Sequence, residues 1–114
     1  MHKLIILIED VTSDRVFDER WPNFLHWAEK MPGLRREVSG RVAHSLFGSH
    51  PCRMIHELYF DSEDTLRAAL ASPEGSRAGQ ILQRITGGRM SLLVADHLAD
   101  DLENFSPSTV EPSR

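Results

Sequence analysis

Cysteine is almost missing from this sequence: Cys52 stands alone in 114 residues. One cysteine rules out an intramolecular disulfide and any cysteine-rich zinc site. Secreted domains of this size commonly carry disulfides, so a reducing cytoplasm is the expected compartment. Basic excess is missing as well. Thirteen Lys and Arg stand against 17 Asp and Glu, a net charge of −4, and no basic stripe exists to neutralise phosphates, so no nucleic-acid partner is expected. The densest basic pair, Arg35-Arg36, reads as a solvated strand edge. Long hydrophobic runs are absent too. Leu4 to Ile8 is an apolar run of five residues, whereas a signal-peptide core takes about 7–15 and a membrane helix about 20. Neither a leader nor a membrane partner is expected. The sequence also lacks a glycine-rich phosphate loop, a nucleophile elbow and an HExxH run.

What is present is an ordinary soluble composition, 40% apolar and 26% charged. The length suits one hydrophobic core and one domain, expected over residues 1–100. Ser106-Pro107-Ser108-Thr109 and the residues after them read as part of a polar, disordered C-terminal tail, 101–114.

Leu4 to Ile8 is short and rich in β-branched residues, the pattern of a strand buried on both faces. Val16, Phe17, Trp21, Phe24, Leu25, Ala28 and Met31 then recur at steps of three and four, the apolar stripe of a helix. Thr12, Ser13 or Asp14 could cap it, and Pro22 should kink or restart it. Leu34 to Phe47 reads as a long second strand with a bulge at Gly40. After the turn residues Gly48-Ser49-His50-Pro51, Met54 to Phe60 forms a third strand. Asp61-Ser62-Glu63-Asp64 starts a second helix, Ser72-Pro73 restarts it, and Gly87-Gly88 ends it. Met90 to Ala95 is the fourth strand. The order β-α-β-β-α-β gives a ferredoxin-like α+β fold, a four-stranded antiparallel sheet with its helices on one face. The first strand is apolar in both registers, so the other face needs a cover of its own. A second copy of the chain is the simplest, making the protein a homodimer.

Several runs together resemble the EthD-like family of the dimeric α/β-barrel group. They are Phe17-x-x-x-Trp21, Met31-Pro32-Gly33-Leu34-Arg35-Arg36, Glu57-Leu58-Tyr59-Phe60-Asp61-Ser62 and Leu66 through Gly75. The resemblance implies a homodimer whose two sheets close a barrel, with a pocket between sheet and helices. It also implies a small-molecule protein of a catabolic or secondary-metabolic pathway. Such proteins include isomerases and dehydratases, cofactor-free or haem monooxygenases, and accessory proteins of oxygenase systems; the fold alone does not choose among them. The family often places a histidine four residues after the first-helix tryptophan. Here Leu25 holds that place and His26 follows it.

Alternation along the third strand puts Met54, His56, Leu58 and Phe60 on one face and Ile55, Glu57 and Tyr59 on the other. The first set is the more apolar and should pack on the helices, leaving His56 a hydrogen-bonded core histidine. Glu57 and Tyr59 would then point into the barrel. Desolvation there would raise the Glu57 pKa and make it an acid or base, with Tyr59 orienting a small apolar or aromatic ligand and His26 as a second proton handler. The competing reading pairs Glu57 with Arg41 or Arg53 as a structural ion pair. His44, His50 and His56 recur every six residues, a spacing unlike a metal site on strands. His44 or His97 could serve as a haem ligand, but nothing selects either. The expectation is no metal and no cofactor.

Overall fold

The computed structural model describes residues 1–10 and 14–99. Its elements are β1 (His2–Glu9), α1 (Asp14–Ala28), β2 (Arg36–Arg41), β3 (Cys52–Phe60), α2 (Glu63–Ala71), α3 (Pro73–Thr86) and β4 (Met90–Asp96). The strands form one antiparallel sheet in the order β2-β3-β1-β4. This is the ferredoxin-like α+β arrangement, with β1 and β3 in the centre and β2 and β4 at the edges.

Central position explains the composition of β1. Leu4, Ile6 and Ile8 are at most 4% exposed and join Met54, Leu58 and Phe60 of β3 under the helices. The helices contribute Phe17, Phe24 and Ala28 from α1, Leu66 and Ala69 from α2, and Ala78, Ile81, Leu82 and Ile85 from α3. The opposite face has no cover among the described residues. It carries Ile5 and Leu7 from β1, Ile55 from β3 and Leu93 from β4, the last two 37% and 49% exposed.

Three expectations need correction. The second strand is short: it ends at Arg41, and residues 42–51 form an exposed loop that carries Leu46 and Phe47, 93% and 100% exposed. Gly40 makes no bulge, since β2 and β3 stay in register throughout; the irregularity lies between Ile8 and Glu9 of β1. Of the two outcomes expected at Pro22, a kink or a restart, the restart does not occur, and the first helix runs through it. Pro22 is exposed, so its ring meets solvent rather than the core. The proposed caps Thr12 and Ser13 and the tail 101–114 lie outside the described residues.

The restart at Ser72 is observed. Its amide donates to the Ala69 carbonyl at 3.2 Å and closes α2, while its hydroxyl accepts from the Gly75 amide at 3.0 Å and opens α3. Pro73 occupies the first turn of α3, where its missing N–H has no helical partner to lose. At the other end Gly87 takes φ 63°, left-handed backbone that favours glycine, and caps α3 through the Gln83 carbonyl. Ser62 caps α2 by accepting from the Thr65 amide at 3.1 Å. Ser62→Ala should therefore destabilise the domain by about 1 kcal/mol, read as a lower urea midpoint with an unchanged slope.

Candidate functional site

The sheet divides the candidate residues between its two faces. Glu57 and Tyr59 share the open face, as alternation requires, and lie side by side with the Tyr59 hydroxyl donating to Glu57 Oε1 at 3.1 Å. The ion-pair partner of Glu57 is neither Arg41 nor Arg53 but Lys3, whose Nζ lies 2.9 Å from Oε2. Register explains this. Lys3 stands opposite Tyr59 on β1, diagonal to Glu57. Arg53 instead reaches Asp14, and Arg41 has no ion pair among the described residues. The Lys3 ammonium hydrogen-bonded to Glu57 holds its carboxyl below the usual carboxylate range, outweighing desolvation, with further help from the Tyr59 hydroxyl. The Lys3 pKa is raised in return, chiefly by that hydrogen bond. The expected raised pKa is therefore corrected: Glu57 is an anchored anion, poorly suited to take or give a proton near neutrality. The His97 ring meets Tyr59 edge-on at 4.8 Å, and the Arg36 guanidinium lies over the same ring at 5.3 Å.

His26 does not join them. It sits near the C-terminal end of α1, exposed, with its ring edge-on to Trp27 at 5.3 Å. The whole sheet separates it from Glu57 and Tyr59.

A second cluster lies on the helix side, at the β2 edge. His56 is opposite Ser39, and Glu37 is one diagonal step away. The last ladder bond recorded between these strands runs from the Val42 amide to the Arg53 carbonyl at 2.9 Å. Alternation then makes Ser39 and His56 a non-hydrogen-bonded pair, the kind whose side chains approach more closely. The Ser39 hydroxyl meets His56 Nδ1 at 2.5 Å, and His56 Nε2 meets Glu37 Oε2 at 2.9 Å. Trp21 and Phe24 of α1 close over the imidazole edge-on, at 5.2 and 5.8 Å. The His56 side chain is 1% exposed and that of Glu37 20%, while Ser39 faces solvent. Burial pushes the His56 pKa down to about 4, so the ring is neutral at pH 7. Burial, with the Glu29 carboxyl beside it, pushes Glu37 up to about 7. The result is a buried neutral base wired at one nitrogen to the hydroxyl of an exposed serine and at the other to a carboxyl that changes charge near neutrality.

From the sequence His56 is expected as a core residue, and neither Glu37 nor Ser39 stands out. Their i, i+2 spacing on an edge strand was the only signal, and it acquires meaning once His56 is known to lie opposite. Next to this cluster, Leu4, Ile6, Phe24, Leu58, Ala78 and Leu82 line an apolar crevice of about 40 Å³, room for a water rather than a substrate. Any reactant therefore meets the site from its solvent side, at Ser39 and Glu37. Among the described residues no three His, Cys, Asp or Glu side chains converge as a metal ligand set, and no helix is long and apolar enough to cross a membrane.

No family profile matches the chain. An EthD (ethyl tert-butyl ether) family protein of Bacillus halodurans, solved by crystallography, is similar over 86% of this chain and 99% of its own, with 28% identity and a TM-score of 0.79. The chain is EthD-like. An 11.0 kDa protein from the thcB–thcC intergenic region of Rhodococcus erythropolis is 26% identical over 98 residues, 84% of this chain and 94% of that protein. Two further structures share the fold with the EthD-like chain. One is a dimeric ferredoxin-like protein of unknown function from Jannaschia, with 16% identity, 84% and 98% coverage and a TM-score of 0.66. The other is a cofactor-independent oxygenase of Streptomyces nogalater, with 12% identity, 87% and 94% coverage and a TM-score of 0.65.

Proposed function

We propose that this EthD-like chain is a homodimeric enzyme of small-molecule metabolism that works by proton transfer at the β2 edge. His56 is its proton carrier, and Glu37 and Ser39 are the groups that reach the substrate. The observation that carries the reading is the buried imidazole hydrogen-bonded at both nitrogens to groups that touch solvent. A neutral ring held in one orientation can accept a proton without first losing one. The adjacent carboxyl, poised near neutrality, can hold the proton or take the positive charge that develops on the ring. The half-buried Trp21 indole beside it suits an apolar or aromatic substrate.

The dimer follows from the open sheet face. Ile5, Leu7, Ile55 and Leu93 give it an apolar centre that a second copy would bury, and the Jannaschia protein of the same fold is a dimer. Lys3, Glu57 and Tyr59 then serve as a fixed polar patch within that interface rather than as the acid or base. The lone unpaired thiol of Cys52 suits a reducing cytoplasm. A non-catalytic accessory role is the second reading, favoured by the small volume of the crevice.

Solvent exchange tests the two readings. The protein is incubated in D₂O with acetophenone and a five-membered lactone, and loss of the α-proton signals is followed by NMR. Exchange faster than in buffer, reduced about 100-fold or more in His56→Gln, is the expected result. No acceleration with the wild-type protein would leave the accessory role.

A further inference from the structure

We infer that Ser39 is a nucleophile and that the site takes small carboxylic esters, lactones or thioesters, passing their acyl group through an ester on the Ser39 hydroxyl. This rests on the reading of His56 and Glu37 as a working acid–base pair, and adds a covalent step and a substrate class to it. Three features carry it. The hydroxyl lies 2.5 Å from Nδ1 of a buried imidazole, whose Nε2 lies 2.9 Å from a carboxyl, so nucleophile, base and orienting acid stand in one line. With Glu37 ionised, Nε2–H donates to the carboxylate and Nδ1 is left as the acceptor for the serine proton. The imidazole cannot turn away, because Trp21 and Phe24 close over it.

Accessibility follows from topology. β2 is an edge strand and Ser39 is exposed, so an electrophile, and later a water, can approach from the Ser39 side a base that is otherwise buried. The ladder to β3 uses the amides of Gly40 and Val42 on alternate residues. The Ser39 and Arg41 amides therefore point to the free edge. The Ser39 N–H, on the nucleophile's own residue, is placed to meet charge developing on the substrate oxygen. Arg41 follows two residues later on the same strand face, with no ion pair among the described residues, and adds positive potential there.

The step balances with the substrate and water alone. Ser39 Oγ attacks the carbonyl carbon while its proton passes to His56 Nδ1. The tetrahedral adduct collapses, the bond to the alcohol or thiol breaks, and His56 returns the proton to the leaving group. Water, deprotonated by the same nitrogen, then attacks the ester on Ser39; the bond to Oγ breaks, His56 returns the proton to Oγ, and the acid is released. The weakly basic neutral imidazole suits esters and thioesters, whose leaving groups depart with less help than an amine.

The test uses p-nitrophenyl acetate with the full chain. Nitrophenolate release is followed spectroscopically, and quenched samples are examined by intact mass and peptide mapping. The expected result is one acetyl group on Ser39, lost in Ser39→Ala and formed at least 100-fold more slowly in His56→Gln. An absent adduct, an adduct elsewhere, or acetylation of Ser39 that His56→Gln leaves unchanged would overturn the inference. D₂O exchange and acetylation measured on the same wild-type protein separate the two claims. Accelerated exchange without any Ser39 adduct removes the nucleophile and keeps proton transfer, whereas absence of both removes both.

Discussion

Gly75→Ala is expected to cost the domain about 3 kcal/mol or more and to lower its melting temperature by at least 10 °C. The cause is a helix junction with no spare room. Ser72 ends α2 and starts α3 within one residue, so the first turn of α3 is pressed against the last carbonyls of α2. A methyl group on Gly75 would stand 2.1 Å from the Ala69 carbonyl oxygen and 2.9 Å from the Leu70 Cα and carbonyl oxygen. All three are backbone atoms, which cannot rotate away as a side chain can. The two helices must separate, and both rest on the core: Ala69 is fully buried, and Ala78, one turn along α3 from Gly75, is 3% exposed. Gly79→Ala is the matched control on the same helix. Nothing lies within 4 Å of its added methyl, and alanine is the better helix former by up to about 1 kcal/mol. Urea unfolding of the two variants should therefore move in opposite directions. A Gly75→Ala protein as stable as wild type would mean the α2–α3 junction is looser than described.

How much of this was legible in the sequence depends on the range of the contact. Alternation, a local property, placed Met54 to Phe60 on their correct faces, including the division of His56 from Glu57. The restart at Ser72-Pro73 was equally local. The phase of α1 was readable too. Phe17, Phe24 and Ala28 form the buried stripe, and His26, two residues past Phe24, lies about 200° around the helix from it. What the sequence could not give was register. Residues 42–51 connect β2 and β3 by a long loop rather than a tight turn, and only tight turns fix which residues face each other. Nothing local therefore announced that Ser39 would stand opposite His56, or that Lys3 of β1 rather than an arginine would reach Glu57. Both errors concern partners far apart in sequence, and both decide chemistry. Pairing with Lys3 turns Glu57 from a candidate base into a fixed anion, and pairing with Ser39 and Glu37 turns His56 from a packed ring into a relay.

That relay makes a second large effect predictable. Glu37→Gln should give the fold an acid sensitivity that the wild-type protein lacks between about pH 4.5 and 6.5. In the folded protein Glu37 is raised to about 7 and His56 lowered to about 4, so between those values the pair holds one proton. In the unfolded chain, with Glu at 4.5 and His at 6.5, the pair also holds one proton across the interval between them. Equal proton counts give stability no slope with pH from this pair. Glutamine removes the carboxyl's half of the balance. The unfolded His56 then binds a proton below 6.5, while the folded ring, still sealed by Trp21 and Phe24, resists one until about pH 4. The unfolded state holds more protons through that window. Stability is accordingly complete above pH 6.5 and falls as the pH drops, by about 2 kcal/mol at pH 5. Other charged groups near the ring, Glu29 at the end of α1 and Glu57 on β3, are present in both proteins, as is Arg41 on β2. The depressed Glu57 contributes stability that is lost only below its unfolded value, and equally in both. Urea midpoints at pH 7.5 and pH 5.0 for wild type and Glu37→Gln isolate the effect. A wild-type protein that loses as much stability as the variant on acidification would show that Glu37 does not carry the shared proton, and the relay would lose its carboxyl.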